Sequence, residues 1–222
     1  MLQPLIALLY AGTQQSAHFS AASSGMFLLI IAIGIAGYIV QARLQSVFKK
    51  YSKVQFPGGL TGAQVAEKML RENNIHNVKV THVAGHLTDH FNPQTMTVNL
   101  SDSVYNSTSV AAAAVAAHEC GHAVQHARDY APLTLRSQLV PVVQFASSAA
   151  TWVILLGLVL LATTRNELVC WIGVALIAMS ALFSLITLPV EYNASARALE
   201  WLESSRTMQG AQLAQAREAL SW

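Results

Sequence analysis

Three stretches of this chain, Ala21–Val40, Leu139–Ala162 and Leu168–Val190, contain no Lys, Arg, Asp or Glu. Each is long enough as a helix to cross a hydrocarbon core of ~30 Å. This constrains the fold more than any motif, because a helix that is apolar on every side needs apolar surroundings along its whole length. Hydrophobic residues make up 53% of the chain and charged residues 11%, which leaves too little polar surface to enclose three such helices in a soluble globule. The expected fold is mainly α, an integral membrane protein with about three transmembrane helices and a small α+β unit built from the polar remainder. A competing reading keeps residues 138–162 as an interfacial or core helix.

Charge gives the orientation. Residues 1–20 hold no Lys or Arg, so the first stretch lacks the basic flank of a cleaved signal peptide and reads as an anchor. Arg43, Lys49, Lys50 and Lys53 follow it, and of the 13 Lys and Arg residues only Arg165 falls outside 41–137 and 191–222. The positive-inside rule then places the N-terminus outside and both basic segments in the cytoplasm. Residues 163–167 turn between the second and third spans on the outer face. Two cysteines, Cys120 and Cys170 within the third span, suit a reducing site better than a disulfide. With a net charge of +2 and a basic cluster explained by orientation, nucleic acid is not an expected partner; the lipid bilayer is.

Between the first two spans, Pro57-Gly58-Gly59 breaks the chain and Thr61 is placed to cap a helix carrying Ala63, Ala66, Met69 and Leu70 through about Glu72. Residues 77–83 and 95–100 alternate in strand fashion around a polar turn with Gly85, Asp89, Asn92 and Pro93, which suggests a small hairpin or two edge strands. Ser107, Thr108 and Ser109 offer N-caps for an alanine-rich helix, 110–117, that runs into His118-Glu119-Cys120-Gly121-His122.

On a helix, residues i and i+4 lie about 40° apart around the axis and roughly 6 Å along it, so His118 and His122 can share one zinc ion with Glu119 beside it as a general base. Cys120, about 200° around from His118, faces away and packs. A catalytic zinc takes three protein ligands and leaves one position for water. His126, about 12 Å along the helix from His118, is too far to be the third. Glu191 is the better candidate: it follows the third span directly, at the cytoplasmic end where the topology places both histidines. The bland alternative is that Glu191 pairs with Arg197 or caps a helix beginning near Pro189.

The resulting division is an extracytoplasmic N-terminus (1–20), a transmembrane helix (21–40), a cytoplasmic unit with the HExxH helix (41–137), a transmembrane hairpin (138–190) and a cytoplasmic C-terminal helix with the third ligand (191–222). Thr61-Gly62-Ala63, residues 87–93 (LTDHFNP), residues 116–125 (AAHECGHAVQ) and residues 187–195 (TLPVEYNAS) resemble the neutral zinc metallopeptidases of bacteria, the YugP-like membrane family. The resemblance covers nearly the whole chain. It implies a zincin-like peptidase with a gluzincin-type site at the cytoplasmic face of the bacterial plasma membrane and one Zn²⁺ per chain. His118, His122 and Glu191 would be its ligands and Glu119 its base. By motif position, Arg197, Tyr192 and His90 are candidates for stabilising the oxyanion. Where relatives more often carry Asp, this chain has Asn92 and Asn193; at position 193 an amide would weaken any support given to a ligand histidine.

The expected activity is hydrolysis of peptide bonds in membrane or misfolded proteins. Residues 95–100 would offer a strand edge for an extended substrate. Two other readings remain open. One is a non-proteolytic membrane scaffold with structural zinc. The other is a di-iron oxygenase using His82, His86 and His90 with His118, His122 and His126. No residue specifies a substrate sequence, a regulatory partner or an oligomeric state. Trp152, Trp171, Trp201 and Trp222 read as interfacial anchors or packing residues.

Overall fold

The computed structural model describes residues 32, 35–56, 58–164 and 168–221. The N-terminal segment 1–20 lies outside the described residues. So do the first apolar stretch, apart from 32 and 35–40, Pro57, and residues 165–167 of the expected outer turn. Residues 35–51 form a helix, α1, whose Ile35, Tyr38, Ile39 and Val40 are exposed. Phe48–Ser221 form one compact unit. It contains α2 (Gly62–Glu72), β1 (Lys79–Val83), β2 (His90–Asn92), β3 (Thr97–Ser101), α3 (Asp102–Tyr105), α4 (Val110–Ala127), α5 (Ala131–Thr164), α6 (Leu168–Ser204) and α7 (Ala211–Leu220).

Local chemistry starts these elements where their sequences allow. Thr61 and Gln64 close a reciprocal capping box on α2, each side chain accepting from the other residue's N–H at 3.3 and 2.9 Å. Ser109 caps α4 by accepting from Ala112 N–H. α4 is the hub of the unit: Ala111–Ala114, Ala116 and Ala117 are fully buried, with α2, α3, α6 and α7 packed around it. Its short side chains let these helices approach closely. At Gly62 the approach is closer still, since a Cβ there would lie 2.3 Å from Val104 O.

The sheet differs from the expected hairpin. The two segments foreseen as strands, now β1 and β3, are parallel neighbours, with Lys79 opposite Thr97 and Val83 opposite Ser101. The antiparallel partner of β3 is β2, a three-residue strand that its polar surroundings concealed. Asn92 Oδ1 accepts from Gln94 and Thr95 N–H and so shapes the turn between β2 and β3. Because β3 is central, both its edges are occupied. It offers no substrate edge; the outer edges of the sheet belong to β1 and β2.

Two helices among the described residues are long and apolar enough to cross a membrane, α5 over Ala131–Gly157 and α6 over Trp171–Ser204. Only 11% and 6% of their most apolar parts are buried, so neither is a core helix, and the core reading of 138–162 loses its physical basis. They pack on each other, with Ser147 and Ser180 hydroxyls 2.7 Å apart and Gly173 giving room to Ile154. Pro141 and Pro189 sit inside α5 and α6 without ending them. α6 therefore passes through residue 190 as one continuous helix. The segment after it is not a single helix, because a turn through Arg206 and Gly210, both at positive φ, separates α6 from α7.

Candidate metal centre

The site forms where α4 crosses α6. Gly121 makes the crossing possible: a Cβ there would lie 2.5 Å from Ala194 O, so only hydrogen lets the two backbones meet. Residues on either side of Gly121 then face residues on either side of Ala194. His118 Nε2 and His122 Nε2 lie 3.2 and 3.3 Å from Glu191 Oε2, and one possible ligand atom from each residue falls within 4.8 Å of the others. Among the described residues this is the only group of three or more His, Cys, Asp or Glu side chains so placed.

The outer nitrogens of both rings are engaged. His118 Nδ1 is 3.0 Å from Ser195 Oγ, one turn beyond Glu191 on α6. His122 Nδ1 is 3.0 Å from Gln125 Oε1. The orientation of Gln125 is set by its amide nitrogen, which donates to the carbonyl of Val190 at 2.8 Å and to Asn193 Oδ1 at 3.0 Å. Its oxygen therefore faces His122, which must donate from Nδ1 and leave a lone pair on Nε2, the form that binds a metal. Arg197 Nε donates to the same Asn193 Oδ1 at 2.7 Å. Burial lowers the pKa of His122, but the hydrogen bond to Glu191 and the charges of Glu119 and Glu191 outweigh it, so the net shift is upward. Two imidazole lone pairs and a carboxylate oxygen fit a zinc ion.

Glu119 points differently from the histidines. It is buried, and its Oε2 accepts from Phe91 N–H at 3.0 Å, so the outer edge of β2 holds it in place. Glu191 has a further neighbour: its other oxygen, Oε1, lies 3.4 Å from a terminal guanidinium nitrogen of Arg136 on α5.

The remaining candidates are not gathered here. Tyr192 is 71% exposed on α6, one position around the helix from Glu191 and turned outward. Arg197 is spent on Asn193, with its guanidinium 6.0 Å from the Tyr130 ring, so the alternative pairing of Glu191 with Arg197 is replaced by Arg136. His90 donates from Nδ1 to Thr88 O and accepts from Asn99 Nδ2. It is exposed and reaches the site only through its neighbour Phe91. Asn193 does not touch a ligand histidine; it acts one step back, through Gln125. The di-iron sets are scattered: His82 pairs with Asp102, His86 meets Phe48 edge-to-face, and His126 lies tilted against Phe91. Cys120 is buried with its thiol 3.6 Å from Ala66 O, and burial pushes its pKa up.

Sequence reasoning missed three residues. Gln125 carried a signal, since it lies three residues after His122 on the same helix face. Ser195 carried a weaker one, four residues after Glu191. Arg136 carried only its charge at the start of an apolar helix, because its placement depends on how α5 packs.

The model of a family described as "Putative neutral zinc metallopeptidase" matches residues 26–222. A protein of Bacillus subtilis (strain 168) named "Putative membrane protease YugP" is 42% identical over 179 residues, covering 81% of this chain and 77% of that one. No solved structure matches the chain.

Proposed function

Because the chain belongs to this zinc metallopeptidase family, we propose that it is a membrane-anchored endopeptidase that hydrolyses peptide bonds of membrane or misfolded proteins at the cytoplasmic face. The observation that carries the reading is the convergence of His118 Nε2, His122 Nε2 and Glu191 Oε2 beside a separately held Glu119. His118, His122 and Glu191 would hold the ion, leaving one position free. When bound there, zinc supplies a Lewis acid that polarises the scissile carbonyl and acidifies water.

Glu119 takes the proton of the attacking water and delivers it to the leaving amine. Phe91 N–H holds one carboxylate oxygen and leaves the other for that exchange. An extended peptide beside β2, the sheet edge next to Glu119, would bring its backbone to the base. Glu191 directly follows the apolar run of α6 in one continuous helix, at a rise of ~1.5 Å per residue. The site would then sit at the membrane surface and favour juxtamembrane segments or chains held against the bilayer. The positive-inside argument makes that surface cytoplasmic.

The test compares the parent protein with Glu119→Gln, both zinc-loaded in detergent, on an unfolded protein substrate and on the protein itself. The expected result is cleavage by the parent and a loss of about 100-fold or more in the variant, with one zinc retained in each. Two zinc-bound but equally inert proteins would favour a scaffold. Two irons in place of one zinc would favour the oxygenase.

A further inference from the structure

Arg136 has no place in the proposal above. It sits five residues into α5, and its guanidinium meets Glu191 Oε1 at 3.4 Å while Oε2 of the same carboxylate faces both histidines. The two oxygens are thus divided between two tasks. A free carboxylate beside a divalent ion can bind through one oxygen or both; one held by a cation on its far oxygen has a single oxygen to offer. Arg136 bears a local cost for this position, because its Nε is buried without a hydrogen-bond partner among the described residues, and a buried donor left unpaired is unfavourable. Had the side chain served only the packing of α5, a shorter or apolar residue would have avoided that cost.

From this geometry we infer that Arg136 is a positioning residue for the metal: it holds Glu191 as a one-oxygen ligand and keeps the fourth coordination position open for water and substrate. The inference rests on the zinc-peptidase reading and deepens it. It gives the helix hairpin a part in the site, since α5 contributes no ligand yet orients the ligand on α6. Without the guanidinium, Glu191 is free to rotate, either binding through both oxygens and closing the open position, or leaving the histidines.

The experiment uses the full chain in detergent, loaded with Co²⁺ as a spectroscopic probe and with Zn²⁺ for affinity by competition with a chromophoric chelator. Arg136→Met is expected to lower the visible Co²⁺ absorption, the sign of a change away from four-coordination, and to weaken zinc binding by about 10- to 100-fold. Arg136→Lys, which keeps the charge on a similar stem, should recover most of both. The deciding measurement repeats Arg136→Met on a Glu191→Gln background. There the substitution should have almost no further effect on affinity, because a residue acting through Glu191 has nothing left to act on. An equal loss in both backgrounds, or an unchanged spectrum and affinity in Arg136→Met, would overturn the inference and leave the peptidase reading intact. A parent protein that binds neither ion would overturn both.

Discussion

Gln125 is fully buried and settles which nitrogen of His122 is free, so its amide contributes to the site without touching a metal position. Replacing it with Leu keeps the volume but leaves His122 Nδ1 without its partner. Gln125→Leu should cost about 1–3 kcal/mol of stability and weaken zinc binding by about 10- to 100-fold, measured by chemical denaturation and by chelator competition. Equal zinc affinity in the two proteins would show that His122 finds its tautomer without Gln125. Asn193 belongs to the same chain of bonds. An amide suffices there, because its oxygen only has to accept from Gln125 and Arg197, and a carboxylate would do the same with added charge. Asn92 is likewise a turn residue, whose oxygen takes two backbone N–H groups.

The helices α4 and α6 form the site only because they touch at Gly121 and Ala194. A methyl at Gly121 would press on a backbone carbonyl, which cannot swing aside as a side chain can. Gly121→Ala should therefore part the two helices, destabilise the protein by about 1–3 kcal/mol and reduce zinc content after equilibrium dialysis, although no ligand has been altered. Full zinc content would show that α6 can shift without moving Glu191. The join between β1 and α3 depends on pH. The Gly85 N–H and then the His82 side chain hold the Asp102 carboxyl below its ordinary value. A group whose folded pKa is depressed adds stability above its unfolded pKa, and that stability is lost as pH falls through the folded value. Asp102→Asn should thus be less stable than the parent near neutrality, with the gap narrowing as pH falls below about 4. Denaturation curves at a series of acid pH values would test this, and a gap independent of pH would rule the carboxylate out as its source.

At the scale of the molecule, a metal bound by His118, His122 and Glu191 links the central buried helix to the long apolar one. Ligand binding to the folded state alone adds about 4 kcal/mol when free ligand is 1,000 times the dissociation constant. Thermal unfolding in detergent should accordingly shift downward on chelation, and Glu191→Gln should show a much smaller shift. A chelator-insensitive melt would mean that zinc does not connect the two helices. Apolar side chains such as Phe145, Trp152, Trp171 and Leu185 stand exposed along the same hairpin, so the molecule needs an apolar medium around α5 and α6 and water around the sheet.

The positions of His118, Glu119 and His122, the capped starts of α2 and α4, and the apolar runs of α5 and α6 were all legible in the sequence. Each depends on periodicity, capping or composition, which act over neighbouring residues. Glu191 could be nominated from its place at the end of an apolar run, but the distance that joins it to the histidines comes from the Gly121–Ala194 crossing, between residues far apart in the chain. The parallel pairing of β1 with β3, the three-residue β2 and the hold of Phe91 on Glu119 were equally hidden, because strand order is decided by which surfaces α4 and its neighbours leave to be covered. Local sequence thus determined which helices form and which residues have the chemistry to bind a metal. Tertiary packing alone decided which of them meet, since the contacts of Gln125, Ser195 and Arg136 depend on how helices cross and leave no periodic trace in the chain.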